Sequence, residues 1–405
     1  MGNSIKASMP YLKKTFRWFG SNFGVSLNDI KEIGVEGIVT ACHQIPIGEV
    51  WPHETIKNIK DEIVSHGLEW SVVESVNIHK AIKYGFPERD KYINNYIDTL
   101  HNLAANDIFI VCYNFMQLID WTRTDLSYTL PNGAISLLYD PIAVAAFDLY
   151  ILKRSEAEGI YDHEMRLKAH TYFKTLSIPE RKALENAILA GMPGSKDTIP
   201  LKEFKTNLDE VSKISKRALQ KNLSYFLNAV IPEAEKLGIK MAIHPDDPPF
   251  SVFGIPRIVS THEDLQYVMN CYPSDSNGLT FCSGSLGAIA ANDLEKIITD
   301  FGSQIHFIHL RNIQRLENET FYEASHLDGS IPMGKLMKQI LMEQLQRHKS
   351  GKGDVAIPIR PDHGHVLLDD KNRQDEFYSG YSLIGRAKGM AELYGLEKGI
   401  REFLF

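Results

Sequence analysis

Four residues with metal-binding side chains stand at the ends of four successive short apolar runs: His244 in AIHPDDPP, Cys282 in LTFCSGS, His309 in HFIHLRN and Asp362 in RPDHGH. Imidazole nitrogen, thiolate sulfur and carboxylate oxygen together suit zinc, iron or manganese, and the thiolate leans towards zinc or iron. A single His or Cys at a strand end is more often a buried structural side chain, so the metal reading rests on the coincidence of four. His306 and His309 are three apart on one run and point to opposite faces of a strand; His309, nearer the C-terminal end, is the expected ligand. His363 directly follows Asp362, where an imidazole suits proton transfer near neutral pH or the orienting of the carboxylate. Tyr381 in SGYSLIGR can bring a phenol to the same pocket.

These residues need a scaffold that delivers strand ends to one face. Short β-type runs occur at 16–19, 37–41, 70–74, 109–113, 240–244, 279–282, 306–310 and 356–360. Amphipathic stretches at 28–33, 51–66, 92–105, 261–270, 293–301 and 333–346 lie between them. Eight alternating strand and helix units predict a single (β/α)8 barrel over residues 1–405, with its chemistry at the C-terminal strand ends. An open doubly wound sheet is the rival, but no GxGxxG turn follows the first run. Residues 114–239 form too long a connection to be structureless. Helical spacing at 141–154, 178–190 and 201–237, with Gly191, Pro193 and Gly194 as punctuation, predicts a helical insertion over about 125–235 that caps one barrel face. Residues 1–12 show no periodic pattern and are expected to be an N-terminal extension.

On the same active face stand His43, Glu74 and Asn114, polar residues at the ends of the second to fourth runs that suit binding of a polyol. Arg123 in DWTRTDL is a candidate bidentate clamp for a carboxylate, or a surface ion pair with a neighbouring acid.

Composition narrows the classes. The 405 residues carry 44 Lys plus Arg against 51 Asp plus Glu, a net charge of −7, and the basic clusters are short; this argues against nucleic acid as a partner. Four dispersed cysteines without a CxxC pair fit a reducing compartment better than a disulfide framework. No apolar run is long enough to span a bilayer, and no apolar segment follows the N-terminal lysines, so a cytoplasmic protein without a membrane partner is expected.

The motifs RWFG, HQIPIGEVW, WSVVESV, VCYNFM, DWTRTDL, HPDDPP, GIPRIVST, NGLTFCSGSLG, HLRN, RPDHGH and GYSLIGR, in this order from about Phe16 to the C-terminus, resemble the mannonate dehydratase family. The resemblance implies a sugar-isomerase-like TIM barrel. It also implies a divalent metal, Mn2+ or Fe2+, that serves conversion of D-mannonate to 2-dehydro-3-deoxy-D-gluconate in hexuronate (glucuronate) breakdown. Carried over by position, it makes His244, Cys282, His309 and Asp362 the metal ligands and His363 and Tyr381 the acid/base pair, without assigning which is which. Asn77 departs from the family, which usually has Pro there. A metal-dependent aldose–ketose isomerase on the same barrel is the competing reading, against which the Cys282 thiolate counts because such sites are richer in carboxylates. A homo-oligomer, a dimer for instance, is expected only because oligomeric enzymes are common.

Overall fold

A computed structural model describes residues 9–190 and 199–404, so Gly191, Pro193, Gly194 and the first eight residues lie outside the described residues. Eight parallel strands close into a barrel in the order β1 (Lys13–Arg17), β2 (Gly37–Thr40), β3 (Glu69–Glu74), β4 (Ile110–Tyr113), β7 (Lys240–Ile243), β8 (Asn277–Cys282), β9 (Ile305–His309) and β12 (Pro358–Arg360). Each lies on one of the eight runs read from sequence, because strands covered on both faces must be apolar almost throughout; β8 and β9 are buried at every residue. β1 starts three residues earlier than its run. Lys13 and Lys14 pair with Pro358 and Ile359 of β12 to close the barrel, a long-range contact that local hydrophobicity does not reveal.

Parallel register brings the chemistry together. Cys282 lies opposite His309, and His309 opposite Arg360. Arg17, Glu74, Cys282, His309 and Arg360 are each the last residue of a strand, so one end of the barrel collects them all.

The helices follow the predicted stretches, with differences at breaks. The 201–237 stretch is two helices, Leu201–Val211 and Lys216–Leu237, the second capped at its start by the Ser215 hydroxyl and at its end by Gly238 in the left-handed conformation. Two long helices, His163–Thr175 and the closing Leu383–Leu404, lie on none of the predicted stretches, and neither do the short ones Lys80–Tyr84, Ala157–Ile160 and Ser283–Leu286. The closing helix ties the barrel to its site: the buried Arg386 guanidinium lies 3.9 Å from the centre of the Phe16 ring and donates to the carbonyls of Arg17 and Tyr381. Residues 9–12 of the expected extension are docked. Met9 and Leu12 are buried, the Leu12 amide donates to Glu397, and Arg401 donates to the Met9 carbonyl.

The segment after β4 opens not with a helix but with a hairpin, β5 (Asp125–Thr129) and β6 (Ile135–Tyr139). Its turn holds Asn132 and Gly133, the latter at φ +80°, a conformation that favours glycine. β6 pairs with β11 (Phe321–Glu323), which pairs with β10 (Ile313–Arg315), to give a four-stranded antiparallel sheet outside the barrel. The helices from Pro141 onward come after the hairpin.

β8 positions Cys282 and tolerates no extra bulk. A Cβ at Gly278 would sit 2.3 Å from the Gln304 carbonyl oxygen and from the His306 ring. Gly278→Ala is therefore expected to destabilise the protein by about 1–3 kcal/mol, measured as a lower midpoint in urea unfolding.

Candidate active site

Ligand atoms of His244, Cys282 and His309 lie within 4.8 Å of one another at the C-terminal ends of β7, β8 and β9. His244 Nε2 is 3.1 Å from His309 Nδ1, and both face the thiol. The other His244 nitrogen, Nδ1, is 2.6 Å from the Pro245 carbonyl, to which it donates; this leaves the Nε2 lone pair directed at the cluster. At His309 Nε2 stand a donor, Arg360 Nε at 3.0 Å, and an acceptor, Glu74 Oε2 at 3.6 Å, so either tautomer of that ring has a partner. Two imidazoles and a thiol in one buried spot are a donor set that fits a divalent transition metal.

Asp362, the fourth expected ligand, stands at the rim. Its carboxylate is 3.8 Å from His309 Nδ1 and 3.9 Å from Cys282 Sγ, and it is held by Arg360 at 2.7 Å and Arg311 at 3.1 Å. The residue adopts a left-handed φ of +66°, which Asp tolerates better than most side chains and which turns the chain sharply after β12.

Around this centre charges are paired directly with one another. Glu74 bridges Arg17 at 2.7 Å and Arg360 at 2.8 Å; burial pushes its carboxyl up, and the two guanidiniums outweigh that and hold it well below the usual carboxylate range. Asp247 accepts from both Arg123 and Arg311, which in the same way overcome the upward push of burial and keep it ionised. Glu323, arriving on β11, reaches Arg123 at 2.6 Å, Arg311 at 3.3 Å and His363 Nδ1 at 3.1 Å. Burial raises its pKa too, yet Arg311, His363 and Arg123 bring it down to about 2.

The sequence-predicted residues divide accordingly. Glu74, Asn114, His244, Asp362, His363 and Tyr381 line one small cavity of about 50 Å³. Tyr381 is buried edge-on to His363, with 5.3 Å between ring centres. His43 instead lines an adjoining cavity of about 370 Å³, which shares Arg17, Ser75 and Asp120 with the small one. Burial and Arg17 lower the His43 pKa to about 3, so its ring is neutral. Arg123 is the correction: its side chain is wholly buried and locked onto Asp247 and Glu323, so it is neither a surface ion pair nor open to the cavity as a substrate clamp. His306, the histidine set aside, lies apart on the far face of β9, buried against Gly278 and neutral, with a pKa of about 3 from burial and nearby Lys240 and Arg347.

Sequence reasoning missed Arg17, Asp247, Arg311 and Arg360 as site residues, although RWFG, HPDDPP, HLRN and RPDHGH contain them. Their signal was adjacency to a singled-out histidine or strand end. Trp121 lines the small cavity from DWTRTDL, while Glu323 lies in none of the singled-out motifs.

An eight-stranded barrel with buried side chains able to hold a metal at the carboxyl ends of its strands has the make-up of the metal-dependent (β/α)8 enzymes. Comparison with known proteins narrows the class. The D-mannonate dehydratase (UxuA) family model matches residues 12–405. The mannonate dehydratase of Chromohalobacter salexigens is 46% identical over 393 residues, 96% of this chain and 99% of that one. That of a Marinomonas species is 45% identical over 394 residues, 97% of this chain and 100% of its own. The crystal structure of mannonate dehydratase from Streptococcus suis serotype 2 superposes with a TM-score of 0.76 at 32% identity, covering 97% of this chain and 94% of that one. The chain belongs to the D-mannonate dehydratase family and is a hydro-lyase that dehydrates D-mannonate. These matches do not favour the isomerase alternative. Among the described residues no helix is long and apolar enough to cross a membrane.

Asp247 neutralises two buried guanidiniums, so Asp247→Asn leaves cations in the interior short of a counter-charge. A loss of about 3–5 kcal/mol is expected in denaturant unfolding, far above the effect of a surface carboxylate such as Glu54.

Proposed function

We propose that His244, Cys282, His309 and Asp362 together hold one divalent metal, Mn2+ or Fe2+, and that His363 and Tyr381 move the protons of the elimination. The observation that carries the reading is the convergence of three ligand atoms within 4.8 Å, with Asp362, His363 and Tyr381 lining the cavity beside them.

Elimination from D-mannonate removes the C2 proton, breaks the C3–O bond and releases the C3 hydroxyl as water; the resulting enol becomes the ketone of 2-dehydro-3-deoxy-D-gluconate. The C2 proton lies beside a carboxylate and is hard to ionise, and hydroxide is a poor leaving group unless protonated. A bound metal supplies a Lewis acid for the negative charge that develops at the acid end of the substrate or its neighbouring hydroxyl. His363 and Tyr381 supply the two proton transfers, one taking the C2 proton and the other protonating the departing hydroxyl. Glu323 accepts from or pairs with His363 Nδ1, so the ring presents Nε2 to the cavity side, where Asp362 lies 3.9 Å away. Glu74 and Asn114 bind the substrate within the small cavity and His43 binds it from the adjoining one.

The same reading makes the product an intermediate of hexuronate catabolism in the cytoplasm, which four free cysteines suit. It makes the helical segment between β4 and β7 a cap on the barrel mouth, supported by Ile188 and Phe204 in the wall of the larger cavity. It also includes a homodimer, for sedimentation to test.

Metal-stripped protein is expected to be inactive and to regain formation of the 2-keto acid with Mn2+ or Fe2+ rather than Zn2+, while Cys282→Ala neither binds stoichiometric metal nor turns over. His363→Asn and Tyr381→Phe should each keep their metal, measured by elemental analysis, and lose about 10²- to 10⁴-fold in kcat. Full activity in both variants would remove them from the mechanism.

A further inference from the structure

The cavity at the metal-ligating residues is small, about 50 Å³, and the larger one that shares Arg17, Ser75 and Asp120 with it is about 370 Å³. An extended sugar acid placed with its reacting carbons among His244, Asp362 and His363 has to continue into the larger cavity, because that is the neighbouring space of ligand size. The two differ in chemical character. The small one is ringed by the guanidiniums of Arg17, Arg311 and Arg360 and by the carboxylates that pair with them, a setting for an anionic head. In the larger one the shared Arg17 is already paired with Glu74, the partly buried Asp120 carboxylate is matched by Lys83 at 3.3 Å, and Glu49 is exposed; the rest of the wall mixes aromatic and aliphatic side chains with uncharged polar ones, a setting for a polyol.

Polar atoms without protein partners mark where hydroxyls would bond. His43, in the cavity wall, has its Nε2 buried without a hydrogen-bond partner, and the ring is neutral, so that atom is an uncharged, unsatisfied donor or acceptor beside the cavity. Asn77 is fixed by the Ser75 hydroxyl, which donates to its amide oxygen at 2.9 Å; the amide NH2 has no hydrogen-bond partner among the described residues. Arg17 Nε, at the junction of the two cavities, is likewise without one. His43 Nε2 and Arg17 Nε are buried, and an unpaired buried polar atom is costly, which a ligand hydroxyl relieves; the half-buried Asn77 amide offers its donors at no such cost.

We propose that the larger cavity is the subsite for the uncharged hydroxylated end of the substrate, the carbons beyond the two that react, and that Asn77 and His43 read its hydroxyls. This rests on the dehydratase reading of the neighbouring centre. Asn77 is a specificity residue here, lining the larger cavity and not the small one that holds His363 and Tyr381, so its loss acts on binding shared by ground state and transition state.

The test measures kinetics and direct binding with the metal-loaded full chain. Asn77→Ala removes the amide, and Ile45→Trp fills the cavity from a half-buried wall position. Both should raise KM for D-mannonate about tenfold with kcat held within about twofold, and should weaken the Kd from calorimetry equally, with unchanged thermal midpoints. An unchanged KM and Kd in both variants, or a fall in kcat at constant KM, overturns the subsite. If the wild type binds D-mannonate but releases no 2-keto acid, the dehydratase reading fails while a weaker Kd in the variants still supports the subsite. A wild type that binds no D-mannonate overturns both.

Discussion

Arg311 meets three carboxylates at once, Asp247 at 2.6 Å, Asp362 at 3.1 Å and Glu323 at 3.3 Å, with almost no solvent in reach. Ionised groups cannot stay charged in such a place unless each finds opposite charge within a few ångströms. The rest of the site is built around meeting that demand. Arg123 completes Asp247 and Glu323, Arg360 completes Asp362 and Glu74, and Arg17 completes Glu74. The chain of pairs runs from β1 through β3, β12 and the loop after β9 to β11, and it sets the positions of Asp362, His309 and His363 at its margin. Stability and pre-organisation thus have one source, since the carboxylates that neutralise the arginines also aim the groups proposed to do the chemistry.

Much of the barrel was legible because parallel strands buried on both faces have to be written as apolar runs, and eight such runs are hard to mistake. The candidate ligand positions were legible for a related reason: at the C-terminal end of a buried strand, His244, Cys282 and His309 are conspicuous against Ile, Phe and Ala. What could not be read was which charge pairs with which. Arg123 looks like an open guanidinium in DWTRTDL, and its partners Asp247 and Glu323 are 124 and 200 residues away, so nothing local announces that it is spent on structure. The β5–β6 hairpin is a different case. Asn132-Gly133, flanked by Tyr128 and Leu130 on one side and Ile135 and Leu137 on the other, is a turn signal of the strongest short-range kind, and it lies outside the stretches at 141–154, 178–190 and 201–237 whose helical spacing carried the expectation for this segment. The strand β11, three residues long, has no periodicity to detect and takes its place only by pairing with β6.

The match to proteins of the same family is spread over the whole length, whereas the chemistry is confined to one end of the barrel. The two are compatible because a barrel places its site by register: shifting β8 against β9 by one residue would separate Cys282 from His309, so residues distant from the site are constrained by it.

The small antiparallel sheet joins the chain after β4 to the chain after β9, and it contributes Glu323 without belonging to the barrel. Two short strands pairing at their ends are easier to part than eight in a closed ring. With His363 in its proposed role, loss of activity and loss of fold are expected to separate: a sheet that parts on warming before the barrel does would release Glu323 from His363 and silence the site while the barrel still stands, and cooling would then restore function without any refolding of the barrel.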